Sequence, residues 1–149
     1  MTKSLLPVLA LCLTFALALP GLADRPTHDG KTAVFGTLHA HSILSGDVTT
    51  TKGFSPLQTF TYVRDHGLDF IGISDHHKPT GSPGGPRFTM NPNTYKDDLF
   101  DVAIQFNDDN AGKFVALPGI EWGTIGTGNH VNIFGSFTLP RDRRPPNSG

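Results

Sequence analysis

Cysteine is almost missing from this 149-residue chain, where Cys12 stands alone. It sits in an apolar N-terminal stretch, so the rest of the chain has no thiol for a disulfide framework or a thiolate metal site. An excess of charge of one sign is missing too. Twelve Lys and Arg against thirteen Asp and Glu give a formal charge of −1. That balance points away from a nucleic-acid coat or a membrane-surface role. The apolar run from Leu5 to Leu19 is uncharged, but it falls short of the ~20 residues that span a bilayer. Lys3 precedes it, and Pro20-Gly21-Leu22-Ala23 ends it with small residues. This is the layout of a secretory signal peptide over residues 1–23, so export to the periplasm or the exterior is expected, with no membrane anchor after cleavage.

What is present is an alternation of strand and helix signals. Residues 24–32 are polar, carry Pro26 and read as a lead-in, with His28 a solvated residue in it. Ala33 to His41 reads as a first strand, and Val48 to Gly53 as a Thr-rich loop. Ser55-Pro56 is a helix start, N-cap then N1. Leu57, Phe60 and Val63 give the helix an apolar stripe, His66 falls in the last turn and Gly67 ends it. Leu68 to Ser74 is a second strand, followed by Asp75-His76-His77. Pro79 to Pro92 reads as a loop, long enough to cover a site.

A second helix is expected with Thr94 as N-cap and Leu99, Val102, Ala103 and Phe106 as its buried stripe, closed by Gly112. Phe114 to Ile120 is a third strand, with Glu121-Trp122 just past its end. Gly123 to Gly128 is a loop and His130 to Phe134 a fourth strand. Residues 33–140 then form the domain and 141–149 a charged, proline-rich tail. Strands alternating with helices imply an α/β fold with a mainly parallel sheet. In parallel α/β barrels the working residues gather at the carboxyl ends of the strands.

Ligand-type residues fall near those ends. His39 and His41 are two apart, so on a strand they share a face with Cα atoms roughly 6.5 Å apart, close enough for two imidazoles to hold one ion. With Asp47, His76, Glu121 and His130 they make a set of imidazoles and carboxylates without sulfur, suited to zinc, manganese or iron. Ser42, Ser45 and Ser74 read as turn residues or supports for ligands, not as nucleophiles. Lys52, Lys78 and Arg87 lie on loops after ligand-bearing strands, where they read as solvated charges or as contacts for an anionic substrate.

The segments GTLHAHSILSGD, GLDFIGISDHH, LPGIEWG and GNHVNIFG resemble, in this order, the first motifs of the polymerase-and-histidinol-phosphatase (PHP) family of metal-dependent phosphoesterases. They are most similar to its exported, carbaryl-hydrolase-like branch. The resemblance covers about Val34 to Gly135. It implies the N-terminal portion of a distorted (β/α)7 barrel, incomplete at its C-terminus, with two or three divalent metal ions. By position, it implies that His39 and His41 bind a first metal, that Glu121 bridges the first and second, and that His130 binds the second. Asp47 and His76 would bind a third, and Asp75 would orient a ligand. His77 lies past the motif and reads as a loop or substrate-facing residue.

Family members continue with a further histidine and a closing Asp-x-His, whereas only Asp142 follows His130 here among candidate ligands. The resemblance therefore implies a fragment, a truncated frame or a chain completed by a partner. The expected activity is hydrolysis of a small-molecule phosphate ester by metal-activated water, with His39, His41 and Glu121 acting catalytically through the bound metal. Carboxyl ester or carbamate hydrolysis on the same site is the alternative, favoured by an apolar pocket of Trp122 and Phe88. A metal-binding remnant without activity is the third reading. No specific nucleic-acid binding is expected.

Overall fold

The computed structural model describes residues 25–49, 51–77, 90–123 and 130–139. Residues 1–24, where a signal peptide is expected, the tail from 141, most of the loop after Lys78 and residues 124–129 lie outside the described residues. Within them the protein is a mixed α/β structure with a curled four-stranded sheet, a half-barrel, carrying helices on one face.

The lead-in is not irregular. Strands β1 (Thr27–His28) and β2 (Lys31–Thr32) form a small antiparallel hairpin. Asp29 and Gly30 turn it with positive φ at both positions, the backbone that a two-residue Asp-Gly turn supplies. His28 is exposed, as expected.

The expected first strand, 33–41, is reduced to β3 (Gly36–Thr37), which pairs in parallel with β4 (Phe70–His77). Thr37 Oγ1 accepts the His39 N–H at 3.2 Å, a local bond that competes with the ladder. Contact with β4 resumes only at Ala40, whose carbonyl accepts the Ser74 N–H. Gly36 is obligatory here: a Cβ would stand 2.2 Å from the Phe70 carbonyl oxygen.

Helix α1 (Pro56–Asp65) starts as expected, with Ser55 as N-cap and Pro56 in the first turn. Ser55 and Gln58 also exchange the reciprocal bonds of a capping box. The buried face is Pro56, Thr59 and Phe60, with Val63 half-buried. Leu57 was expected on the apolar stripe and is exposed, because burial follows the line through Thr59 and Phe60. Gly67 ends the helix at φ +83°.

The second helical stretch begins earlier than expected. Asn91, not Thr94, is the N-cap of α2 (Pro92–Thr94), its side chain accepting the Asn93 N–H. Pro92 has no N–H to lose and its φ suits the first turn. The stretch continues through a π-helical segment (Tyr95–Phe100) into α3 (Asp101–Asp109). The wider turn brings Tyr95, Leu99 and Phe100 all inward, and Ala103 and Phe106 extend the buried line as expected.

Strand β5 (Val115–Trp122) pairs in parallel with β4 over its whole length, His76 opposite Glu121. Strand β6 (Val131–Phe134) pairs antiparallel with β5, since the short connection from Trp122 cannot make the crossover that a parallel neighbour needs. Both expected strand ends were too early: Asp75, His76 and His77 belong to β4, and Glu121 and Trp122 to β5.

The core lies between the helices and the outer face of the sheet. Phe60, Ile71, Ile73, Leu99, Ala103, Phe106, Phe114, Ala116 and Ile120 are buried there, each large side chain contributing about 1.5–3 kcal/mol by burial. Phe106 packs edge-on to Phe114 at 5.6 Å, with the Arg64 guanidinium 5.2 Å from its centroid. Asn107 bonds both the N–H and the carbonyl of Ala116. It satisfies the edge of β5 below the point where β6 begins.

Candidate metal centre

Strand alternation sorts the polar residues of β4 and β5 into two sets. Ile71, Ile73, Asp75 and His77 face the helices, with Ala116, Ile120 and Trp122 beside them. Gly72, Ser74 and His76 face the hollow of the half-barrel, as do Gly119 and Glu121. Asn132 and Phe134 join this inner face, because Asn132 pairs with Glu121 and Phe134 with Gly119.

Glu121 is at the centre, buried at 6 % exposure. Its Oε2 lies 3.0 Å from His41 Nε2, 3.2 Å from His76 Nδ1 and 3.9 Å from His39 Nε2. Its Oε1 meets His130 Nδ1. Four imidazoles from three chain segments thus surround one carboxylate. Their rings meet edge to face, 4.9 Å apart for His39 and His41, 4.6 Å for His41 and His76 and 5.6 Å for His76 and His130.

Burial holds the His76 pKa below its usual value, reinforced by His41 and His130 and opposed by Glu121 and Asp47. A neutral imidazole is the form that binds metal. Three groups have donor atoms within 4.8 Å of one another and could hold an ion: His39, His41 and Glu121; His76, Glu121 and His130; and His41, Asp47 and His76. The nitrogen and oxygen donors fit a divalent cation without further ligands having to be invoked from sulfur. All six residues expected as ligands therefore meet in one place.

The segment 41–47 is held by two carboxylates. Asp75, fully buried behind the sheet, accepts the Ser42 N–H and O–H. Burial pushes its pKa up to about 6, against the pull of the Ser42 bonds. Asp75 thus anchors the backbone turn after His41 and does not itself touch an imidazole among these contacts. Asp47 Oδ2 lies 2.9 Å from His41 Nδ1 and 3.6 Å from His76 Nε2, and its Oδ1 accepts the Ser45 hydroxyl. Partial desolvation pulls the Asp47 pKa up, but the bonds from Ser45 and His41 outweigh it and hold it below the usual range. Ser45 Oγ also accepts the His76 N–H at 3.2 Å.

Ser74 Oγ lies 2.8 Å from His39 Nδ1, and His39 Nε2 is turned towards Glu121. Asn132 Nδ2, also 3.1 Å from His39 Nδ1, is a site residue that the sequence reading did not single out. Its signal was there: it lies two residues from His130 and four from Gly128, on a strand whose alternate positions face inward.

His77 is corrected: it is neither on a loop nor facing the hollow. It is buried on the helix side, where its Nδ1 accepts the Met90 N–H at 3.2 Å. Trp122 shares that face and packs against the core, so it does not line an apolar pocket at the centre. Lys78, Arg87 and Phe88 lie outside the described residues, and Lys52 is exposed on its loop. His66 stacks on Tyr62 at 3.9 Å and bonds the Tyr62 carbonyl from Nδ1, a helix-end residue as expected.

No family model, curated protein or solved structure matches the chain. The chemistry of the site is therefore read from its own residues. Among the described residues no helix is long and apolar enough to cross a membrane.

Proposed function

We propose that the chain carries the metal centre of a PHP-type, metal-dependent hydrolase acting on phosphate esters, exported by its N-terminal segment. The observation that supports this reading is the convergence of His39, His41, His76 and His130 on the buried Glu121 carboxylate. His39 and His41 would hold one ion with Glu121, and His76 and His130 a second, with Glu121 shared between them. Zinc, manganese or iron bound there supplies Lewis acidity, which lowers the pKa of water from 15.7 to about 7 and neutralises charge on a phosphoryl oxygen.

The chain's own residues do the rest. Ser74 and Asn132 hold the His39 ring from its Nδ1 edge, and Asp75 fixes the turn that presents His41. Asn132, exposed at the rim beside His39, offers an amide to a substrate oxygen. A barrel of the PHP kind would continue the sheet from β3 and β6, its outer strands among the described residues.

The test is hydrolysis of bis(p-nitrophenyl) phosphate by the purified chain supplied with zinc or manganese, beside p-nitrophenyl acetate and a naphthyl methylcarbamate. Turnover of the phosphodiester that is lost in Glu121→Ala, together with the bound metal, is the expected result. Turnover of the ester or carbamate alone assigns the centre to the other hydrolytic chemistry. Bound metal without any turnover identifies a remnant, and Glu121→Ala with unchanged metal content refutes the shared-carboxylate arrangement.

A further inference from the structure

The third donor group, His41, Asp47 and His76, cannot be filled independently of the other two. His41 turns Nε2 to Glu121 at 3.0 Å and Nδ1 to Asp47 at 2.9 Å. A neutral imidazole has one lone-pair nitrogen and one N–H, so binding an ion through Nε2 places the proton on Nδ1. Asp47 then receives that proton's hydrogen bond. Its other oxygen is already taken by the Ser45 hydroxyl, so both carboxylate oxygens face donors.

Burial separates the two carboxylates as well. Glu121 is at 7 % side-chain exposure and sits among all four imidazoles, whereas Asp47 is at 40 % and reaches His41 from the outside. A carboxylate accepting the distal N–H of a ligand imidazole fixes ring orientation and raises the basicity of the ligating nitrogen.

The geometry points to Asp47 as a positioning residue that holds His41 in its metal-binding tautomer, in place of a ligand to a third ion. This role rests on the metal-centre reading above. It makes the segment 41–47 a self-contained clamp: His41 supplies the ligand, Asp47 orients it, and Ser45 orients Asp47 while tying it to the backbone of His76.

The experiment is a zinc titration by calorimetry, with ion content measured after gel filtration, on the wild-type chain, Asp47→Ala, Asp47→Asn and Ser45→Ala. Circular dichroism of the metal-free chains checks that each is folded. The expected result is the same number of ions in all four. Affinity falls about 10–100-fold in Asp47→Ala and less in Asp47→Asn, whose amide oxygen still accepts from Nδ1. Ser45→Ala, which removes the hydroxyl that holds Asp47 Oδ1 and leaves every proposed ligand side chain in place, weakens binding in the same direction. A wild type with one ion more than Asp47→Ala overturns the role and makes Asp47 a ligand. Unchanged affinity in both Asp47→Ala and Ser45→Ala also overturns it. A wild type that binds no zinc refutes the metal centre itself, an outcome distinct from either.

Discussion

A methyl group added at Gly119 tests whether the floor of the half-barrel sets the position of the site above it. Gly119 pairs with Phe134 across β5 and β6. A Cβ there would lie 2.4 Å from Phe134 Cδ1 and 2.6 Å from the Ile133 carbonyl oxygen. The ring can turn, but the carbonyl is backbone, so β6 itself must retreat. Overpacking of this kind costs about 1–3 kcal/mol, and a 2 kcal/mol loss lowers Tm by roughly 8–16 °C in a domain near 100 residues. Because β6 follows directly from His130, the retreat should loosen the His76–Glu121–His130 group more than the His39–His41–Glu121 group, which β6 reaches only through Asn132 among the described residues.

Gly72→Ala is the matched control. Its Cβ would meet the far end of the same ring, at 2.7 and 2.9 Å, and the Leu38 Cα at 3.2 Å. The ring tip belongs to a side chain that can swing aside, so the cost falls at the low end of the overpacking range, about 1 kcal/mol. Thermal unfolding followed by circular dichroism, with a zinc titration of each variant, reads both effects. Gly119→Ala as stable as wild type, or less damaging than Gly72→Ala, would refute the reasoning. So would equal weakening of every zinc-binding phase.

Two further outcomes are expected. His66→Ala should leave ion content unchanged, because the His66 ring stacks on Tyr62 and bonds its carbonyl at the end of α1; a loss of metal, measured by elemental analysis, would show that the imidazoles are wrongly divided. Arg25→Gln should lower stability at neutral pH by about 1 kcal/mol or less. Partial desolvation raises the Asp69 pKa, but Arg25 and the Phe35 N–H outweigh it and hold the carboxyl below its usual range. A depressed folded pKa stabilises above the unfolded value of 3.8, and that stabilisation is lost as pH falls through the lower folded value. Urea unfolding of wild type and Arg25→Gln should therefore differ at pH 7 and converge in strong acid; a difference that persists there would mean the arginine acts by packing.

The sequence was most legible where a single local rule decides. Ser55-Pro56 predicts the start of α1 because a cap and a fixed φ act within one turn. The line through Leu99, Ala103 and Phe106 holds because it repeats at the helical period. The Asp29-Gly30 hairpin was equally local, but strands of two residues leave no alternation to read. The strand ends were misplaced for a different reason: apolar character stops at Ser74 and Ile120, while pairing runs on to His77 and Trp122. Those last residues stay in the ladder because each polar side chain has somewhere to go, Asp75 to Ser42, His77 to Met90, and His76 and Glu121 to the centre.

Which of two adjacent histidines reaches the centre is a matter of register, and composition carries no information about that. His76 stands opposite Glu121 and His77 opposite Trp122. A slip of one residue between β4 and β5 would put His77 across from Glu121 and turn His76 into the core. The same slip would break the paired notch at Gly72 and Gly119 that receives the Phe134 ring. Two glycines that carry no chemistry thus favour the one register in which four imidazoles can share a carboxylate, and the site depends on residues a motif search would pass over.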